Sequence, residues 1–177
     1  MDKQKIAKNI YDVSHISGEF MLRSGKISNE YFDKYLFEAD PNLLQSVVKE
    51  MRLLIPENTE IIAGLEMGGI PIVTALSIES GLSAAFVRKE RKKYGTCKLA
   101  EGSAIKDKCV CVIEDVVTTG GQIIESVREL RKQGAIIDTV LCVILRNNAA
   151  YDILATESLL LKPVFTMEFV NDAGAQM

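Results

Sequence analysis

The chain has 177 residues, enough for one domain with a substantial core. Hydrophobic residues make up 47% and charged residues 25%, and the net charge of −3 provides no general attraction to nucleic acid or to an anionic membrane. No apolar stretch approaches the ~18 residues of a membrane span. The first five residues lack the apolar core of a signal peptide, so we expect a cytoplasmic protein.

Few residues could support metal or thiol chemistry. The chain has one histidine, His15, for which we expect a structural role, and four cysteines. Most of the cysteines fall in apolar, strand-like surroundings and none belongs to a CxxC pair, so we predict buried thiols and no zinc site. The four are Cys97, Cys109, Cys111 and Cys142.

The N-terminal part predicts a short helix followed by a hairpin. Apolar residues at helical spacing between positions 6 and 13 indicate the helix, and residues 18–33 indicate two strands around a turn. Arg23, Tyr31 and Phe32 could bind a flat anionic ring, because aromatic rings stack and a guanidinium pairs with a carboxylate. From the residues alone, an ordinary hairpin with its aromatic side chains packed inward is the favoured interpretation.

Two units of strand, glycine turn and helix point to the fold class. A helix that begins with Asp40-Pro41 precedes a buried strand at 61–65. The strand leads into the turn Glu66 to Gly69 and a helix that ends at Gly81, and the next strand covers 83–87. This order predicts a parallel α/β sheet with a ligand at the carboxyl ends of its strands.

A strongly basic segment follows. Residues 88–98 carry six cationic side chains and one acid, without apolar periodicity. Such a run is usually a solvated loop. A nucleic-acid surface is disfavoured because no second basic cluster accompanies it and the total charge is negative, so we predict no nucleic-acid partner. A third interpretation is a mobile cationic loop that closes over a pyrophosphate.

The most informative stretch joins a strand, a polar turn and a helix. Residues 109–113 are apolar and partly β-branched, typical of a strand buried on both faces. Glu114 and Asp115 stand where this strand should end, and Thr118 to Gly121 form a small-residue turn before a helical pattern. Glycines and the free N–H groups of a helix start make an anion site.

The acid pair narrows the choice of ligand. Glu114 and Asp115 would repel a bare phosphate, but carboxylates accept hydrogen bonds from hydroxyl groups and bind hard cations. We therefore expect a sugar phosphate, with its phosphate on the turn and its diol on the acids. The alternative is a strand–turn–helix joint with two solvated acids and no ligand.

The C-terminal third predicts three further strands. The strand at 139–145 ends at Arg146, again at the edge where a substrate would lie. Residues 159–161 and 164–170 are predicted to be closing strands, and 171–177 a polar tail. Without a repeat or a linker, the chain is expected to form a single domain over residues 1–177.

The segment Val112 to Gln122 resembles the phosphoribosyl pyrophosphate (PRPP) motif of type I phosphoribosyltransferases, in which two acids and two apolar residues precede Thr-x-Gly. It is unlike a Walker loop or a dinucleotide fingerprint. The resemblance implies an α/β fold with a central parallel sheet flanked by helices. It also implies a small N-terminal hood formed by residues 1–38 and C-terminal strands. The implied PRPP-binding residues are Arg88, Lys89, Lys92, Glu114, Asp115, Val116, Val117, Thr118, Thr119, Gly120, Gly121 and Gln122.

Further segments resemble the orotate phosphoribosyltransferase family. Gly18 to Gly25 is similar to its Gly-x-Phe-x-Leu-x-Ser-Gly hairpin, and Gly69-Ile70-Pro71 is similar to its turn near pyrophosphate. Phe86 to Lys92 is similar to its flexible loop, in which Arg-Lys precedes a catalytic lysine. The implied orotate-binding residues are Arg23, Tyr31, Phe32, Thr118 and Arg146.

Some positions depart from the usual family residues. Leu145 stands where Asp is usual, Asn147-Asn148 replace a more acidic pair, and Tyr94 stands where many members have histidine. The turn at Met67-Gly68 lacks a lysine that some members carry. Two other interpretations therefore stay open: a phosphoribosyltransferase for another base, and a non-catalytic PRPP-sensing regulator.

The resemblance implies transfer of the phosphoribosyl group from PRPP to orotate, giving orotidine 5′-monophosphate and pyrophosphate in de novo UMP synthesis. Lys92 and Asp115 would be the catalytic residues. Mg²⁺ would be held mainly by PRPP and water, with no dedicated metal site on the protein. The implied assembly is a homodimer in which the basic loop is shared between subunits.

Overall fold

The computed structural model describes residues 2–21, 25–90 and 99–175, which form two sheets with flanking helices. The N-terminal hood contains the predicted helix and antiparallel hairpin, followed by a short helix that sequence patterns had not predicted. Its elements are α1 (Lys3–Ser14), β1 (His15–Met21), β2 (Ile27–Phe32) and α2 (Lys34–Ala39).

The central sheet has six strands in the order β5-β4-β3-β6-β7-β8, and all neighbours are parallel except β4 and β5. Its strands are β3 (Ile61–Leu65), β4 (Ser83–Val87), β5 (Ala100–Gly102), β6 (Val110–Val117), β7 (Thr139–Leu145) and β8 (Leu160–Thr166). The remaining helices are α3 (Pro41–Arg52), α4 (Gly69–Ser80), α5 (Gly121–Lys132), α6 (Ala149–Ala155) and α7 (Met167–Ala175). The predicted α/β class is confirmed, with one short antiparallel strand added at the sheet edge.

Apolar side chains cover both faces of the sheet. All seven residues of β7 are buried, as expected for a central parallel strand. One face packs against α5 and α6, and the other packs against α1, α3, α4 and α7. The carboxyl ends of β3, β4, β6 and β7 therefore share one edge. Within the described ranges, no helix is long and apolar enough to cross a membrane.

The prediction for the C-terminus was partly wrong. Residues 164–177 were expected to form a strand and a polar tail, but the strand ends at Thr166 and the chain continues as α7. The Thr166 Oγ1 atom accepts the backbone N–H of Phe169 at 3.2 Å, and Val170 and Ala173 are buried at helical spacing. Short apolar runs do not distinguish a strand from a helix, which explains the error.

The C-terminal strand was expected to contribute to the hood, but it does not. β8 pairs with β7 in the central sheet, because its apolar residues are buried there, and the hood is contacted by α7, which packs on α1. A side chain at Gly174 would overlap the ring of Tyr11. This glycine therefore lets the first and last helices approach closely, and the hood is held next to the carboxyl edge of the sheet.

Candidate active site

The turn Thr118–Gly121 lies at the carboxyl end of β6 and leads into α5. Gly120 has a φ of +80°, a left-handed conformation that favours glycine, and nothing lies within 4 Å of a Cβ atom built on Gly121. The turn borders a cavity of about 80 Å³, which Glu114 also lines. In the described structure no side chain caps α5, so its first N–H groups can serve an anion.

Glu114 and Asp115 are adjacent but lie in different surroundings. Asp115 is 1% exposed, and its carboxylate forms an ion pair with Lys34 and accepts the backbone N–H of Val116. Glu114 is partly buried; burial, with a contribution from the charge of Asp115, raises its pKa to about 8. Glu114 is therefore largely protonated near neutral pH in the free protein.

Lys34 and Glu38 reach the acid pair from α2, and sequence patterns had indicated neither. Asp33 caps this helix by accepting the N–H of Tyr35 at 3.1 Å, and Lys34 and Glu38 lie one turn apart on its face. Burial alone would lower the pKa of Lys34, but the hydrogen bond to Asp115 and its charge raise it overall. Burial, followed by the charge of Asp115, raises the pKa of Glu38 to about 8. The signal available in the sequence was the cap residue Asp33.

The second glycine turn, Glu66 to Gly69, packs against the acid pair. A Cβ atom at Gly68 would overlap the Oδ2 atom of Asp115 and would lie 3.0 Å from the Nζ atom of Lys34. A Cβ atom at Gly69 would lie 2.6 Å from a backbone carbonyl oxygen of β6. Both positions need glycine, because a side chain would push the turn away from β6.

The basic segment is described only at its start. The Nε atom of Arg88 lies 3.9 Å from Oε1 of Glu101, and the backbone N–H of Lys89 donates to the carboxylate of Glu66. Arg88 and Glu66 line a cleft of about 300 Å³ at the ends of β3 and β4. The structure thus brings Arg88 to the predicted edge. Three residues of interest, Lys92, Tyr94 and Cys97, lie outside the described residues.

Three of the residues that the resemblance implies for orotate binding meet in a cleft of about 270 Å³ between the hood and the sheet: Tyr31, Phe32 and Arg146. The Cζ atom of Arg146 lies 6.0 Å from the centroid of the Phe32 ring, at the limit of a cation–π contact. The backbone N–H of Arg146 donates to the carbonyl oxygen of Val117 at 2.8 Å, so this cleft adjoins the glycine turn after β6. Arg23 lies outside the described residues.

The same cleft contains residues that sequence patterns had not connected with a ligand: Tyr11, His15, Glu30 and Asn171. The rings of Tyr11 and His15 are stacked with centroids 4.6 Å apart, and Nε2 of His15 lies 3.3 Å from Oε2 of Glu30. His15 thus packs as a structural residue would, and its imidazole also lines the cleft. These residues come from three elements of the hood and from α7, and no local pattern links them.

The described cysteines are free thiols, and two of them are buried in the core. Cys111 and Cys142 are buried, as predicted, and burial raises the pKa of Cys111 to about 12 and that of Cys142 further. Cys109 is partly buried. Among the described residues, no group of three or more His, Cys, Asp or Glu side chains could hold a metal ion.

Similarity to known proteins extends over nearly the whole chain. The model of the phosphoribosyl transferase domain matches residues 40–173. An orotate phosphoribosyltransferase from Nocardioides sp. is 47% identical over 173 residues, which cover 96% of this chain and 97% of the relative. The chain belongs to the orotate phosphoribosyltransferase family. The family predicted from the PRPP motif, the hairpin and Arg146 is thereby confirmed.

Solved structures of orotate phosphoribosyltransferases share the fold. The Mycobacterium tuberculosis enzyme in complex with Fe(III) dicitrate has a TM-score of 0.86 and 27% identity, covering 96% of this chain and 99% of that chain. The M. tuberculosis enzyme in complex with PRPP has a TM-score of 0.83 and 24% identity, covering 97% and 99%. The predicted fold of the orotate phosphoribosyltransferase family is therefore present almost end to end.

Proposed function

We propose that this chain transfers the phosphoribosyl group of PRPP to orotate, forming orotidine 5′-monophosphate and pyrophosphate. The observation that carries the proposal is the hydrogen bond from Arg146 to Val117. This bond joins the end of β6 to the residue that follows β7, so a cleft with aromatic and cationic walls lies beside the turn to which we assign the phosphate. A phosphoribosyl group on the turn and a carboxylated ring in the cleft would be neighbours, as formation of a bond between them requires.

PRPP is assigned to the carboxyl edge of β6 and β4. The N–H groups at the start of α5 and the turn Thr118–Gly121 would bind the 5′-phosphate. Glu114 and Asp115 would accept hydrogen bonds from the ribose hydroxyls, and these donors would lower the raised pKa of Glu114 by stabilising its carboxylate. The residues that complete this contact surface are Val116, Val117 and Gln122.

Cationic residues are assigned to the leaving pyrophosphate and to the orotate carboxylate. Arg88, Lys89 and Lys92 would stabilise the negative charge of the leaving pyrophosphate, with Lys92 contributing most. Arg146 and Arg23 would pair with the orotate carboxylate, while Tyr31, Phe32 and Thr118 would hold the ring. The base nitrogen then attacks C1 of the ribose from the face opposite to the departing pyrophosphate, so no nucleophilic side chain is needed.

We further propose that Mg²⁺ accompanies PRPP. The described residues contain no metal-binding cluster of their own, but the acid pair supplies oxygen atoms of the kind this ion prefers, including a buried Oε2 of Glu114 without a hydrogen-bond partner. This fits an ion held mainly by PRPP oxygens and water, and we assign no residue as a direct ligand. The ion would neutralise charge on the pyrophosphate.

The assembly and location are also proposals. The family resemblance supports a homodimer in which the basic segment that begins at Arg88 serves the neighbouring subunit's site. Cross-linking and sedimentation of the purified protein would test the dimer. The cytoplasmic location stays a prediction from composition.

A panel of bases tests the proposed function. Purified protein with PRPP and Mg²⁺ should consume orotate, and it should leave adenine, guanine, hypoxanthine and uracil unchanged. Consumption of a purine instead would assign the cleft to another base. Tight PRPP binding without turnover of any base would favour a PRPP-sensing regulator.

A further inference from the structure

Lys34 is placed by the hood against the most deeply buried acid of the site. Its ammonium group forms an ion pair with Oδ2 of Asp115, whose side chain is 1% exposed, whereas the Lys34 side chain is 32% exposed. The other oxygen of Asp115 accepts the backbone N–H of Val116. One carboxylate oxygen is thus held by the strand and the other by the hood.

Two more carboxyl groups crowd this ion pair. Glu38 lies one helical turn from Lys34, and neither of its carboxyl oxygens meets a hydrogen-bond donor among the described protein groups. The buried Oε2 atom of Glu114 also has no partner there. Burial raises the pKa of both Glu38 and Glu114 to about 8, so near neutral pH Lys34 chiefly balances the charge of Asp115, and above about pH 8 that of the whole cluster.

The turn between β3 and α4 leaves space for the Lys34 ammonium group and carries no cationic side chain of its own at positions 67–69. Met67, Gly68 and Gly69 are uncharged. The Nζ atom of Lys34 lies 3.0 Å from the position that a Cβ atom at Gly68 would take. The ammonium group therefore lies close against this turn, next to Asp115.

We propose that Lys34 is a positioning residue for PRPP: it orients the Asp115 carboxylate and balances its charge, so that the hood and the PRPP motif form one binding site. The inference rests on the proposed function, because it takes the acid pair as the ribose site. It assigns the hood a part in binding PRPP as well as the base.

The test measures PRPP binding by calorimetry in the presence of Mg²⁺ and without any base. Lys34→Met should raise the Kd for PRPP at least about tenfold, since a buried carboxylate loses its partner. Lys34→Arg should recover most of the affinity. Lys8→Met is the matched control, because Lys8 is an exposed hood lysine paired with Asp12, and it should bind PRPP as the wild type does.

A double variant separates positioning from simple charge balance. Above about pH 8, where Glu38 is ionised, Lys34→Met combined with Glu38→Gln removes one positive and one negative charge, so the fold should tolerate it better than the single change. Its Kd for PRPP should still be raised at least about tenfold. Wild-type affinity in the double variant would overturn the inference and leave Lys34 with a purely structural role.

The pH dependence of PRPP binding gives an independent readout. Glu114 is faced by Asp115 on its own strand, by Lys34 and Glu38 from α2, and by the thiol of Cys142 on β7. Lys34 lowers the pKa of Glu114, so its removal should raise that pKa further and move the pH midpoint for PRPP binding upward. An unchanged midpoint would count against the inference. Wild-type protein that does not bind PRPP at all would contradict the proposed function itself.

Discussion

The backbone N–H of Arg146 donates to the carbonyl oxygen of Val117 at 2.8 Å, joining the ends of two strands to which we assign different parts of the proposed site. β6 continues into the turn proposed to bind the phosphate, and β7 is followed directly by Arg146, which lines the aromatic cleft. Val117 pairs with Leu145 in the sheet, and both are buried. The distance between the turn and the cation is therefore set by the sheet. Leu145, where the family usually has Asp, packs in the core.

Removal of the Arg146 guanidinium should weaken orotate use specifically. Arg146→Ala is expected to lower kcat/KM for orotate by roughly 10- to 100-fold, the scale of one charge-assisted hydrogen-bonded pair, with little change in PRPP binding. Steady-state kinetics with each substrate varied in turn checks this. Arg128→Ala is the control, because Arg128 is an exposed arginine paired with Glu157. Equal losses for both substrates would contradict the assignment to the base.

Lys92 carries the prediction for the basic loop. Lys92→Ala should reduce kcat by a factor of about 100 or more, because the leaving pyrophosphate loses a positioned charge. Single-turnover measurements would show the loss in the chemical step. Lys132→Ala, at an exposed lysine of α5 paired with Glu129, should have no effect. Turnover near that of the wild type in Lys92→Ala would exclude the closing-loop interpretation.

A methyl group at Gly68 should disturb PRPP binding through the acid pair. Gly68→Ala places a Cβ atom onto Asp115, so either the carboxylate or the turn must move. We expect the Kd for PRPP to rise at least about tenfold while the protein stays folded. Calorimetry and a thermal melt measure the two effects separately. Unchanged PRPP binding would contradict this link between the turn and the acid pair of the PRPP site.

The raised pKa of Glu38 predicts how the free energy of unfolding changes with pH. Its pKa is raised to about 8 in the folded protein, above the ordinary value of 4.5, so the folded state binds more protons between these two values. Its contribution to stability is present at low pH and is lost as pH rises through about 8. Glu38→Gln should remove this dependence and stabilise the protein at about pH 9, on the order of 1–3 kcal/mol.

Denaturant unfolding between about pH 5 and 9 checks the effect of Glu38. The pKa of Glu114 is also raised, so this residue makes stability fall with rising pH in the same direction as Glu38 does, and it remains in the variant. The stability of the variant should therefore fall less steeply with pH than that of the wild type, though not become flat. Equal slopes for Glu38→Gln and the wild type would show that Glu38 titrates alike in the folded and unfolded states.

Local patterns predicted the parts of the fold that depend on local chemistry. The strands at 61–65, 83–87 and 139–145 have the predicted bounds, because each is a short apolar run bounded by turn or polar residues. The turn at Thr118–Gly121 was found because glycines, threonines and acids occur together. In contrast, the apolar run after Thr166 fitted both a strand and a helix, and only its packing against α1 decided between them.

The contacts of Lys34 and Glu38 could not be predicted in the same way. They depend on α2 meeting the end of β6, about 80 residues further along the chain. Asp33 indicates the start of a helix but does not indicate which strand that helix will face. The same limit applies to Tyr11 and Asn171, which reach one cleft from opposite ends of the chain.

Formation of orotidine 5′-monophosphate is the most direct test of the central claim. Purified protein, PRPP, Mg²⁺ and orotate should yield this product together with pyrophosphate in equal amounts, both followed over time. The Arg146→Ala variant should form both products more slowly, and always in equal amounts. Pyrophosphate release without orotidine 5′-monophosphate, or no reaction with orotate alongside turnover of another base, would contradict the account.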